Sequence, residues 1–135
     1  PTRRSSDLPL EQDLGPLVAA LRRRRRFLAI ETNGRHFQEL PLDWWTVSPK
    51  AGAGFRVHPR LWERASEVKL LATPELSLAV VKRLRRRTPA PILLQPQRFA
   101  RDRYRRAFAL YSECARAGVP GVRLGLQLHA VYGVR

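Results

Sequence analysis

The feature that most constrains this chain is a repeated change of period in its apolar residues. Leu10, Leu14, Leu17, Val18 and Leu21 recur at helical spacing and end in the solvated arginine run at 22–26, which predicts an amphipathic helix. Phe27-Leu28-Ala29-Ile30 is then a short continuous apolar run, the pattern of a strand buried on both faces of a parallel sheet, and Asn33-Gly34 stops it. A second extended run, Trp44-Trp45-Thr46-Val47, ends at Ser48-Pro49 and is followed by a glycine-rich loop at 51–54. Residues 59–66 suit a short helix, with Pro59 tolerated in its first turn. Residues 68–72 read as a third strand. Thr73-Pro74-Glu75 then reads as a helix start with Thr73 as N-cap, and Leu76, Ala79, Val80 and Leu84 form that helix's apolar face. Ile92-Leu93-Leu94 begins a fourth strand that runs into Gln95-Pro96. The longest helix follows, with Tyr104, Ala107, Phe108, Tyr111, Cys114 and Ala115 on one stripe and Gly118 and Pro120 ending it. From 123 to 129 the chain alternates strictly, Leu124, Leu126 and Leu128 facing one way and Gly125, Gln127 and His129 the other.

Helices alternating with short strands through brief connections predict an α/β protein with a mostly parallel sheet. Polar groups gather where the strands end, at Glu31-Thr32-Asn33, Ser48-Pro49-Lys50 and Gln95-Pro96-Gln97. Ligands in parallel α/β folds bind at the carboxyl ends of strands, so three such clusters argue for one shared site.

Length and charge narrow the classes further. A chain of 135 residues with 44% apolar content holds one domain with an ordinary core. No apolar run is long enough to span a bilayer and no signal-peptide layout opens the chain, so the expected setting is cytoplasmic, with no membrane partner. Cys114 is the only cysteine, which excludes an internal disulfide and any multi-cysteine metal site. The formal charge is +15, and with Lys50, Lys69 and Lys82 the only lysines, arginine supplies 23 of the 26 basic residues. Such charge suits a nucleic-acid-binding module, the rival reading from another class. Runs like 22–26 and 82–87 are ordinarily solvated faces, GC-rich coding also favours arginine, and no nucleic-acid-binding motif is present, so a nucleic-acid partner is not the expectation. Methionine is absent, and Thr2-Arg3-Arg4-Ser5-Ser6-Asp7-Leu8 looks like a translated sequencing adapter. Residues 1–8 are therefore expected to be an assembly artefact or a disordered polar terminus, and 9–135 the domain.

At the strand ends the sequence resembles a known family. Glu31-Thr32-Asn33-Gly34, Asp43-Trp44 leading to Val47-Ser48-Pro49-Lys50, Glu67-Val68-Lys69, Leu94-Gln95-Pro96 and Leu126-Gln127-Leu128-His129 follow the order and approximate spacing of 7-carboxy-7-deazaguanine synthases. The resemblance covers 9–135 and implies the C-terminal portion of a radical S-adenosylmethionine lyase on a partial, open (β/α) barrel. Such enzymes contract 6-carboxy-5,6,7,8-tetrahydropterin to 7-carboxy-7-deazaguanine with release of ammonia, on the route to queuosine, a tRNA modification. They use S-adenosyl-L-methionine, a [4Fe–4S] cluster held by three cysteines, and Mg2+, and they form homodimers.

The resemblance assigns residues as follows. Glu31 stands where a carboxylate approaches the cofactor's ribose or ammonium group; a helix cap or an arginine partner is its plainer reading. Ser48, Pro49 and Lys50 match a cofactor-binding tripeptide, although a lone lysine is more often solvated. Gln95, Pro96, Gln97 and Arg98 match a second cofactor-binding turn, in which Gln95 offers donor and acceptor to an adenine edge; Arg98 equally suits the opening of a basic helix. His129 and Arg135 match substrate-binding positions, His129 also suiting a structural role. Arg35 and Ala130 depart from the family pattern, which usually has threonine and lysine there. The three-cysteine motif is absent, and Pro9 matches the end of the family's Gly-Gly-Glu-Pro, so the chain is expected to be inactive alone. A different small radical S-adenosylmethionine enzyme is a further alternative.

Overall fold

The computed structural model describes residues 8–97 and 103–126. Five strands, β1 (Ala29–Thr32), β2 (Trp44–Val47), β3 (Glu67–Leu71), β4 (Ile92–Gln95) and β5 (Val122–Leu124), form one sheet in the order β1-β2-β3-β4-β5, every pair parallel. The helices are α1 (Gly15–Arg23), α2 (Pro59–Arg64), α3 (Leu78–Arg85) and α4 (Arg103–Arg116), with 3-10 turns at Leu8–Glu11 and Ala51–Ala53. The molecule is thus an α/β fold around an open, all-parallel sheet, as the change of period predicts. Among the described residues the strand order never reverses, so there is no switch point of the doubly wound kind. Among the described residues no helix is long and apolar enough to cross a membrane.

Register decides which side chains meet the helices. Ile30, Trp45, Val47, Val68, Leu70, Ile92 and Leu94 fall on one face and join two core clusters with Val18 of α1, Leu61 of α2, Val81 and Leu84 of α3, and Leu110 and Cys114 of α4. Leu61, Leu70, Ile92 and Leu94 are fully buried there. Each such side chain contributes about 1.5–3 kcal/mol through removal from water. The opposite parity carries Glu31, Trp44, Thr46, Glu67, Lys69, Leu93 and Gln95, none of them in either core cluster.

Several local expectations are corrected. The first strand is not buried on both faces: it begins at Ala29, and Phe27 is 71% exposed. The first helix starts at Gly15, because Pro16 lacks the N–H an interior position needs, and Leu17 ends up exposed. Thr73 is not an N-cap; Ser77 caps α3 by accepting from the N–H of Val80, and the buried side becomes Val81 and Leu84. The stripe of α4 rotates to Ala107, Leu110 and Cys114, leaving Tyr104 and Phe108 exposed. Its end is as expected: Gly118 adopts φ +63°, with Val119 N–H donating to Cys114 and Gly118 N–H to Ala115, a Schellman closure. The β1–β2 crossover at 33–43 contains no helix and instead packs Phe37 and Leu40 against the β1–β2 core.

Candidate functional site at the carboxyl edge and open face of the sheet

Because every strand runs the same way, Glu31, Ser48, Lys50 and Gln95 all lie at or just beyond the carboxyl ends of β1, β2 and β4. The Glu-Thr-Asn-Gly stretch divides into structural and presented parts. Thr32 Oγ1 accepts from Gly34 N–H at 3.0 Å and Asn33 Oδ1 from Arg35 N–H at 2.9 Å, so both side chains fold the turn that ends β1. Gly34 is required twice over: its φ is +85°, and a Cβ would meet Val57 Cγ2 at 2.9 Å. That leaves Glu31 as the member presented on the open face.

There Glu31 belongs to a polar network across three strands. Lys69 Nζ lies 3.2 Å from Glu31 Oε2 and 3.7 Å from Glu67 Oε1. Glu67 Oε1 also accepts from Thr46 Oγ1 at 2.8 Å, and Thr46 Oγ1 accepts from Trp44 Nε1 at 3.2 Å. Among the described residues the partner of Glu31 is therefore a lysine two strands away rather than a helix end or an arginine. The Glu67 side chain is 16% exposed and that of Glu31 54%, so one carboxylate is fixed inside the network while the other reaches outward.

On the second strand, Ser48 continues the parity of Trp44 and Thr46, and its N–H donates to Thr32 at 2.7 Å. Lys50 bends back so that Nζ donates to Ser48 Oγ at 2.9 Å, while its carbonyl receives Ala53 and Phe55 N–H. Pro49 is buried between them. Gln95 shares the open face with Leu71 and Leu93, and its backbone carbonyl receives Ala72 N–H. The side chain lies over Gly125, where a Cβ would approach its Cγ to 2.9 Å, so glycine there gives Gln95 its space. Pro96 is buried and Gln97 half-buried just past the strand. Arg98, His129 and Arg135 lie outside the described residues.

The structure therefore joins Glu31 to Lys69, Glu67, Thr46 and Trp44, and joins Ser48 to Lys50. Gln95 is aligned with them at the same edge, one strand beyond β3. The network around Lys69 was not assigned from sequence, although Glu67-Val68-Lys69-Leu70 carries its mark: charges at alternate positions in a strand mean one face is not core. The metal-binding capacity is also clear. Cys114 is fully buried on the helix side of the sheet, and burial pushes its thiol pKa up, the opposite of what a thiolate ligand needs. Among the described residues no group of three or more His, Cys, Asp or Glu could hold a metal ion.

Fold and site thus define a sequentially ordered parallel α/β protein with a polar open face. No protein-family model, curated protein or solved structure matches the chain.

Proposed function

We propose that the chain is the C-terminal part of a radical S-adenosylmethionine lyase of the 7-carboxy-7-deazaguanine synthase type, and that its sheet is an arc of a partial, open (β/α) barrel. The supporting observation is that residues from separate motifs of the resemblance, Glu31, Ser48-Lys50 and Gln95, fall at the carboxyl edge of one sequentially ordered sheet whose open face is polar. In such an arc the uncovered face is the lumen, which accounts for a charged network on a parallel sheet, an arrangement otherwise covered by helices on both sides.

The donor set fits S-adenosyl-L-methionine: Ser48, Lys50 and Gln95 supply hydroxyl, ammonium and amide groups, and Glu31 a carboxylate for the cofactor's ammonium or ribose. It does not fit the [4Fe–4S] cluster, which needs three thiolates where this chain has one thiol, and that faces the core; the cluster's ligands would come from sequence outside these 135 residues. The role left to this stretch is to bind and orient S-adenosyl-L-methionine and the pterin substrate, in a cytoplasmic homodimer.

The test uses the product of the locus including a three-cysteine segment, with its cluster restored anaerobically. It should convert 6-carboxy-5,6,7,8-tetrahydropterin to 7-carboxy-7-deazaguanine and ammonia, dependent on S-adenosyl-L-methionine. Ser48→Ala and Gln95→Ala should each raise the KM for the cofactor about tenfold, the loss of one hydrogen bond of about 1.4 kcal/mol. A cluster-loaded protein without that conversion, or with KM unmoved in both variants, would refute the reading.

A further inference from the structure

We propose that the outer surface between α2 and α3 carries a second binding site, a track for the phosphodiester backbone of a nucleic acid. Three clefts join end to end there. One of about 370 Å³ is lined by Arg35 and Arg56, the next of about 380 Å³ by Arg56, Arg83 and Arg87, and the third of about 470 Å³ by Arg85, Arg86 and Arg87. Arg56 lines both of the first pair and Arg87 both of the second, so the clefts are neighbours in a row along one surface. Six arginines line it and no aspartate or glutamate does.

Arg85 turns inward, half-buried with Nη2 donating to the Thr88 carbonyl, whereas Arg56, Arg83, Arg86 and Arg87 are exposed. Among the described residues, three arginines elsewhere meet carboxylates, Arg22 with Asp43 and both Arg60 and Arg64 with Glu39. Arg56, Arg83, Arg85, Arg86 and Arg87 form no ion pair there. Arg56 Nε donates to the Ala53 carbonyl and Arg83 Nη2 to the Gly54 carbonyl, each at 3.2 Å. One turn thus fixes two guanidiniums and leaves most of their five donors for an anion.

Length and shape select the ligand. The path begins at the turn after β1, at the carboxyl edge, and ends at the loop before β4, at the amino edge, so it crosses the depth of the sheet. At about 3.3 Å per residue, the five-residue β3 makes that depth roughly 16 Å. One or two guanidiniums satisfy a single phosphate, so the five exposed ones, of Arg35, Arg56, Arg83, Arg86 and Arg87, spread over this distance suit a chain of phosphates. A concave path favours a strand over a flat bilayer. Trp62, half-buried beside Arg83 and Arg87, adds the aromatic surface on which bases stack. Elsewhere, Arg22 is tied to Asp43, and Arg105 and Arg106 line a separate cleft with Glu113. Sequence alone counted the arginines and read them as solvated; their alignment is visible only in the fold.

The test is fluorescence anisotropy of a labelled 20-nucleotide single-stranded RNA against the protein, with inorganic phosphate, polyglutamate and anionic vesicles as competitors. Binding should weaken steeply with salt. Reversing Arg56, Arg83 and Arg87 to glutamate should cut affinity at least about 30-fold and lower the log–log salt slope by about 2, at about 0.7 per contact on a single strand. Reversing Arg23, Arg24 and Arg26 changes net charge equally and should cost less than about 3-fold. Phenylglyoxal labelling of the unsubstituted protein provides a readout independent of variant folding: RNA should protect Arg56, Arg83 and Arg87 and leave 23–26 reactive. Equal losses in both triple variants, protection without preference, or competition by polyglutamate or vesicles as strong as by unlabelled RNA would overturn the proposal.

Discussion

Lys69 stands between two carboxylates, and the more buried of them sets what the lysine is worth. Removing the ammonium leaves Glu67, 16% exposed, with Thr46 as its remaining hydrogen-bond partner, whereas Glu31 turns to solvent. Lys69→Met should therefore cost about 1–2 kcal/mol and Glu31→Gln less than about 1 kcal/mol in urea denaturation; the reverse order would show that the network is not anchored at Glu67. Asp43 provides a pH signal. The Leu28 N–H, donating to Oδ2 at 2.7 Å, holds its carboxyl below the ordinary value of 3.8, burial opposes this in part, and Arg22 at 2.9 Å assists. Because the folded pKa is the lower one, the stabilisation is complete above about pH 3.8 and disappears as pH falls through the depressed value. Asp43→Asn should melt lower than the parent at pH 7, and the gap should close in acid; a gap independent of pH would assign the effect to packing. Gly34→Ala should cost more than about 1 kcal/mol by thermal or urea unfolding, because φ +85° and the Val57 contact both exclude a methyl group, and a neutral result would mean that the turn rearranges freely.

At the scale of elements, β1 is, among the described residues, an edge strand paired only with β2, and Phe27 just before it is exposed. An unpaired edge beside exposed apolar groups templates association. Phe27→Lys should reduce aggregation in light scattering while leaving the melting temperature unchanged, and a drop in melting temperature would show that Phe27 packs in the folded state. The existence of β1, β2, β3, β4 and α4 was legible because period and breakers agree: Asn33-Gly34, Ser48-Pro49 and Gly118 all end elements where expected. Two kinds of feature were not. Which side of α3 or α4 is buried depends on the angle at which the helix meets the sheet, so Val81 and Leu110 replace the expected Val80 and Phe108. Strand starts were misjudged where apolarity outran pairing, as at Phe27, whose side chain lies outside the ladder.

For the whole molecule, parallel strands in unbroken sequential order place the helix-facing residues on one side and leave the Lys69 network and Gln95, with Trp44, Leu71 and Leu93, on the other. The strand ends of the site were readable, since polar clusters after apolar runs mark them; the Lys69 network and the arginine track were not, because the first depends on the register of three strands and the second on residues from separate crossovers. The central claim is that the carboxyl edge of this sheet is a ligand site. Its most direct test is an NMR titration of the 15N-labelled protein with S-adenosyl-L-methionine, which detects binding even at a Kd of about 1 mM, or about −4 kcal/mol. The predicted result is saturable shifts at the amides of Glu31, Ser48, Lys50 and Gln95, with Asp43 and Ile92, at the opposite end of the strands, unmoved. Shifts confined to the helical shell, or none that saturate, would contradict it.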